Sequence, residues 1–146
     1  MKVLVDTSVW SLALRRGRQG ASAPVQELRS LISARRVQVI GPIRQEILSG
    51  VREETQFKEL EARFASFPDL PIATEDYVLA ARFFNRCRRK GIQGSNTDFL
   101  ICAVAFRNRL AIFTTDKDFT SFAAHLPIAL HQSRGAEQTG STGGPP

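Results

Sequence analysis

Asp6, Glu46, Asp98 and Asp116 are acids in places where packing has no use for a charge. Asp6 closes the apolar run Val3-Leu4-Val5, and Asp116 follows Ala111-Ile112-Phe113-Thr114-Thr115. Asp98 opens the apolar stretch 99–106, and Glu46 lies about one turn beyond Pro42, a residue suited to the first turn of a helix. Ligands of an open parallel sheet bind beyond the carboxyl ends of its strands. A carboxylate in the first turn of a helix is favoured by the dipole and the free N–H groups. If these segment ends converge, four carboxylates share a small volume, and their mutual repulsion favours either protonation or a bound cation. All four are hard oxygen donors with no His or Cys among them. That set fits Mg2+, with Mn2+ as a substitute, and does not fit zinc or copper. Magnesium keeps several waters and completes its shell with substrate phosphate oxygens, so the chemistry implied is hydrolysis of a phosphodiester.

Within the quartet, Asp6, Asp98 and Asp116 are the expected metal ligands, because strand ends and a helix start can converge rigidly. Glu46 is expected to orient a water. Thr7, Ser8, Asn96 and Thr115 flank the acids and could hold a phosphate or a water. Asp118 either joins the site or simply favours the N-terminus of the last helix. Any one Asp after a strand is more often a turn residue or a cap; four in such contexts point to a site. Glu53, Glu54, Glu59, Glu61, Glu75 and Asp76 read as solvated helix faces, and Trp10 as core or interface. His125 and His131 are too isolated to argue a general base.

The elements that must position these acids alternate. Short β-branched or apolar runs predict strands at 3–5, 37–40, 112–114 and 128–130, with a weaker candidate at 70–73. Helical spacing predicts helices at 8–16, 24–34, 42–48 and 55–67. Further helices are expected at 77–89, opened by Thr74-Glu75-Asp76 and closed by Gly91, and at 117–124. Asn96 or Thr97 is the expected cap of a helix that continues to Arg107. Residues 99–106 are apolar all round, so that helix is expected to be central and buried. The expected fold is α/β: a parallel sheet of four to five strands with helices on both faces. Residues 1–132 form the domain. The segment 133–146, rich in Gly, Pro, Ser and Thr, has nothing to bury and is expected to be a flexible tail.

Composition narrows the classes further. The chain has 146 residues, enough for one domain with a real core, and its 42% hydrophobic share excludes disorder for most of it. Twenty Lys and Arg against fourteen Asp and Glu give a net charge of +6. The basic residues cluster at Arg15, Arg16 and Arg18, at Arg35 and Arg36, at Arg86 to Lys90, and at Arg107 and Arg109. A basic chain attracts polyanions, although each cluster alone fits a solvated helix end. Cys87 and Cys102 make no disulfide framework and, with the two histidines, match no zinc pattern. The start is too short and too soon acidic for a signal peptide, and no apolar run approaches a membrane span. A reduced, cytoplasmic protein is expected.

Four segments carry a resemblance: Val3-Leu4-Val5-Asp6-Thr7-Ser8-Val9-Trp10, Gln45-Glu46-Ile47-Leu48, Thr97-Asp98-Phe99-Leu100-Ile101-Cys102-Ala103 and Thr114-Thr115-Asp116-Lys117-Asp118-Phe119. In order and spacing they look like the PIN domain, and more closely like the VapC-type ribonuclease toxins of bacterial toxin–antitoxin pairs. The resemblance covers about residues 1–131. It implies a Mg2+- or Mn2+-dependent endoribonuclease with Asp6, Glu46, Asp98 and Asp116 as its acidic quartet, Asp118 as a fifth candidate, and Thr7 or Ser8 and Thr115 beside them. It also implies an RNA substrate, a cognate antitoxin, and a homodimer or toxin–antitoxin hetero-oligomer. No organic cofactor and no membrane partner are implied. The alternative is a basic RNA- or antitoxin-binding regulatory module with little nuclease activity, against which the intact quartet argues. A haloacid-dehalogenase-type phosphatase would need a second Asp two residues after Asp6, where Ser8 stands. A receiver domain would need adjacent acids after the first strand.

Overall fold

The computed structural model describes residues 1–14 and 22–132. The tail 133–146 and the cluster Arg15, Arg16 and Arg18 lie outside the described residues. Among the described residues four short strands are present: β1 (Val3–Val5), β2 (Val37–Gln38), β3 (Ala111–Phe113) and β4 (Ala129–Leu130). The same residues hold seven helices: α1 (Thr7–Leu14), α2 (Ala23–Ser33), α3 (Gly41–Leu48), α4 (Glu54–Phe64), α5 (Thr74–Arg89), α6 (Asn96–Arg107) and α7 (Asp118–Ala123). The sheet runs β2-β1-β3-β4 and is parallel throughout. Every residue of β1 and β3 is buried, the pattern of strands covered on both faces.

Chain order and sheet order together locate the crevice. The chain leaves β1 for β2 on one side, then returns across β1 to β3 on the other. The switch therefore falls between β1 and β3, where a parallel sheet opens a crevice at its carboxyl edge. Val5 is in register with Phe113, and the next backbone bond runs from Asp6 N to Phe113 O at 2.8 Å. Asp6 thus stands opposite Thr114, one step beyond the paired strands.

Helix α6 is buried from Phe99 through Ala105, as its all-apolar run requires, and packs most extensively against α5. Phe99 meets Phe84 edge-on at 5.5 Å and Phe122 at 4.8 Å, tying α5, α6 and α7 together. Burying each such large side chain contributes roughly 1.5–3 kcal/mol. Gly94 is required by this packing: a Cβ there would lie 2.6 Å from the Phe122 ring. Trp10 is in the core, edge-on to Phe64 and Phe67.

Several expectations are corrected. Residues 70–73 form no strand. A single parallel bridge, Val39 to Asp69, and the bond from Leu70 N to Val39 O are all that forms there. Pro71 has no N–H with which to extend the ladder. The second strand is correspondingly shorter than 37–40. The fourth helix ends at Phe64 rather than Phe67, because Arg44 of α3 takes the carbonyls of Phe64 and Phe67 and also bonds Asp69. Asp76 is not on a solvated face. It is 1% exposed, accepts from Ala73 N at 2.8 Å and pairs with Arg107 at 2.7 Å. Neither Asn96 nor Thr97 caps α6; Ser95 does.

Candidate active site

Asp6, Glu46, Asp98 and Asp116 line one open cleft of about 700 Å3 at the carboxyl edge of β1 and β3. Each is fixed by a different local device. Asp6 is 6% exposed, and its Oδ2 accepts from Ser8 Oγ at 2.9 Å and Thr114 Oγ1 at 2.8 Å. Those two hydroxyls also accept, Ser8 Oγ from Thr115 N at 3.0 Å and Thr114 Oγ1 from Asp116 N at 3.0 Å. Each hydroxyl has one proton, and both protons go to Asp6. The 3.2 Å approach of Ser8 Oγ to Thr114 Oγ1 is therefore a contact imposed by their shared acceptor. The network ties the loop after β3 to the carboxylate after β1.

Asp98 is the third residue of α6 and forms a reciprocal box with the cap. Its N donates to Ser95 Oγ at 3.0 Å, while its Oδ2 accepts from Ser95 N at 3.1 Å. Burial pushes the Asp98 carboxyl above its ordinary pKa. The bonds with Ser95 oppose that rise, and the charges of Asp6 and Asp116 add to it. Asp116 stands in the turn leading into α7: its Oδ1 accepts from Asp118 N at 2.9 Å and its carbonyl from Phe119 N at 3.2 Å. Glu46, on α3, accepts from Thr7 Oγ1 of α1 through Oε2 at 3.1 Å.

A common rule emerges. Each of the four carboxylates is held through one oxygen only, and the second oxygen has no hydrogen bond or cationic partner among the described residues. Four pinned acids with four uncommitted oxygens in one cleft are a poor arrangement for stability and a good one for a hard cation. The donor set fits Mg2+ or Mn2+. Among the described residues no three Asp, Glu, His or Cys side chains stand close enough together to hold a metal ion by direct ligation. An ion that retains several of its waters is compatible with that spacing.

Thr7 and Ser8 join the cleft, whereas Asn96, Thr115 and Asp118 do not line it. Asn96 faces a neighbouring groove, Thr115 contributes its backbone N–H, and Asp118 occupies the first turn of α7. Thr114 and Ser95 escaped the sequence reading. Thr114 is found only through its cross-strand register with Asp6, which no local pattern encodes. Ser95 was legible as the first residue of Ser95-Asn96-Thr97-Asp98, a capping-box spacing.

Residues 3–124 match the PIN domain. This chain belongs to the PIN-domain family. It is 35% identical over 125 residues to ribonuclease VapC11 of Mycobacterium tuberculosis, an alignment covering 83% of this chain and 91% of that one. Among solved PIN folds it resembles FitAcB from Neisseria gonorrhoeae, with a TM-score of 0.72 at 21% identity, covering 89% of this chain and 96% of that chain. It also resembles VapBC-5 from Mycobacterium tuberculosis, a member of the VapBC family of toxin–antitoxin systems, with a TM-score of 0.64 at 18% identity, covering 90% and 98%. At those identities the two structures establish the PIN fold, and the switch-point cleft is where that fold gathers this chain's acids.

Proposed function

We propose that this chain is an endoribonuclease dependent on Mg2+ or Mn2+, and the toxin of a toxin–antitoxin pair. The observation that carries the chemistry is the set of four carboxylates, each held through one oxygen and free at the other, in one open cleft. Identity to a named ribonuclease over most of the chain supports RNA as the substrate, and the VapBC-type neighbours support an antitoxin as the partner. No helix among the described residues is long and apolar enough to cross a membrane, and the cytoplasm, where RNA and antitoxin are found, is the proposed location.

Asp6, Asp98 and Asp116 would hold the ion. When bound, it would supply positive charge to the scissile phosphodiester and acidify a water. Asp6 cannot swing, because two hydroxyls grip its Oδ2. Asp98 is fixed by its cap and Asp116 by the turn into α7. Glu46 sits on α3, across the cleft, and its exposed carboxylate is steered by Thr7. That position suits it to orient the attacking water and take its proton as the P–O bond to the leaving sugar breaks. The raised affinity of Asp98 for a proton means that a proton and a cation compete for it.

The test is cleavage of structured RNA with Mg2+ or Mn2+, with and without chelator, by wild type and Asp6→Asn. Activity lost by at least 100-fold on chelation and in the variant is expected. Metal-independent cutting, or an equally active variant, would refute the mechanism. The toxin role is tested separately. Overproduction of this chain should arrest growth, and co-expression of a small protein encoded beside it should relieve the arrest.

A further inference from the structure

Helix α5 ends in Arg86, Arg88 and Arg89, with Lys90 as its C-cap and Arg82 one turn earlier, and all five are exposed. No acid pairs with any of them among the described residues. Three of these cations, Arg82, Arg86 and Arg89, stand on one face with Asn85 and wall a concavity of about 160 Å3. Spacings of four and three residues place like charges side by side, which is unfavourable in a helix. The macrodipole does not explain the arrangement, since it offers about half a negative charge at the helix end against three full positive ones. The Arg86 guanidinium lies over the Phe83 ring at 5.7 Å, which limits its motion and keeps it ready to bind. The same end of α5 leads through the loop 90–95 into Ser95, whose cap fixes Asp98. Beside it runs a groove walled by Asn85, Asn96 and Thr97, and Thr97 also lines the acid cleft.

We propose that the Arg82–Asn85–Arg86–Arg89 notch binds a phosphodiester of the RNA strand, one or more nucleotides away from the bond being cut, and so guides the strand to the acid cleft. Among the described residues these three guanidiniums and the amide have no acceptors of their own, and guanidiniums match phosphate oxygens in pairs. The proposal rests on the nuclease reading and adds to it a subsite outside the carboxylates.

The test uses the full chain in Ca2+, with a labelled single-stranded RNA, and measures binding against NaCl concentration. The triple variant Arg82→Gln/Arg86→Gln/Arg89→Gln is compared with wild type and with Arg29→Gln/Arg52→Gln/Lys58→Gln, which removes the same charge from exposed positions elsewhere. Losing the one phosphate that the notch holds should make the log–log salt slope shallower by about 0.7 and weaken binding on the order of 10-fold at 0.1 M salt. The control triple should change little, and the notch variant should still cut an oligonucleotide too short to reach α5 at the wild-type rate in Mg2+. An unchanged slope in the notch variant, or an equal loss in the control triple, would overturn the notch while leaving the nuclease reading intact. The notch would also fall if its variant kept RNA affinity and instead lost an acidic protein partner. RNA binding by none of the three proteins would overturn both.

Discussion

Two aspartates of this chain occupy the same local position and have opposite surroundings. Asp76 and Asp98 are each the third residue of a helix, and each reaches back to the backbone N–H of the residue before it. Asp76 is buried and neutralised by Arg107 at 2.7 Å. Asp98 is left with Asp6 and Asp116 as its charged neighbours, and its carboxyl is pushed toward the protonated form. The capping geometry is therefore structural in both cases. What separates a fold-holding acid from a candidate catalytic one is the missing countercharge, and three more acids in the cleft share that lack.

The largest expected effect contrasts these two positions. Asp98→Asn should lower kcat/KM on RNA by about 100-fold or more while the protein stays folded, because Asn retains the cap acceptor. Asp76→Asn should do the reverse. Loss of the charge on Asp76 leaves Arg107 without its partner and should cost about 1–3 kcal/mol, discounted because Arg107 is partly exposed. Activity per folded molecule should persist. Denaturation midpoints and single-turnover rates on both variants check the pair, and an inactive but stable Asp76→Asn would break the contrast.

Adding the cation should widen the contrast. At a Mn2+ concentration 100 times its dissociation constant, wild type should gain about 2.7 kcal/mol, seen as a rise in Tm of roughly 5–10 °C. Asp76→Asn should gain as much, and Asp98→Asn much less.

A smaller effect follows from protonation in chelator. Asp98 binds its proton more tightly folded than unfolded, so its contribution is fully favourable below the ordinary aspartate pKa. That contribution is lost as pH rises to the raised native value. The Tm of Asp98→Asn should therefore gain on wild type across that interval and hold its advantage above it. A difference independent of pH would show that Asp98 has a normal affinity for protons.

The smallest effect concerns the hydroxyls. Thr114→Val removes a donor to Asp6 and the acceptor of Asp116 N. It should destabilise by about 1–2 kcal/mol and lower activity about tenfold, mainly by loosening Asp6 and Asp116. Thr115→Val, one residue on, should change little, since only its backbone N–H is engaged.

The acids were legible in the sequence because strand ends and helix starts can be read from hydrophobic runs, and the fold class follows from their alternation. The misreadings share a cause. Asp76 looked like a surface acid because its partner lies 31 residues away. Thr114 was passed over for Thr115 because register between β1 and β3 is a tertiary fact. Asn96 flanks the acids in sequence, yet helix geometry turns it toward a neighbouring groove, whereas Asp118 lies in the first turn of α7, one of the two places the sequence allows it. Local pattern identified which charges were out of place; only the packed chain showed which of them had been left without partners.

A crystal of this chain soaked in Mn2+ and measured at the manganese absorption edge tests the central claim most directly. An anomalous peak within ligand or water-mediated distance of Asp6, Asp98 and Asp116, and absent in Asp98→Asn crystals, is expected. A peak only outside the cleft, or none while RNA is still cut in chelator, would contradict it.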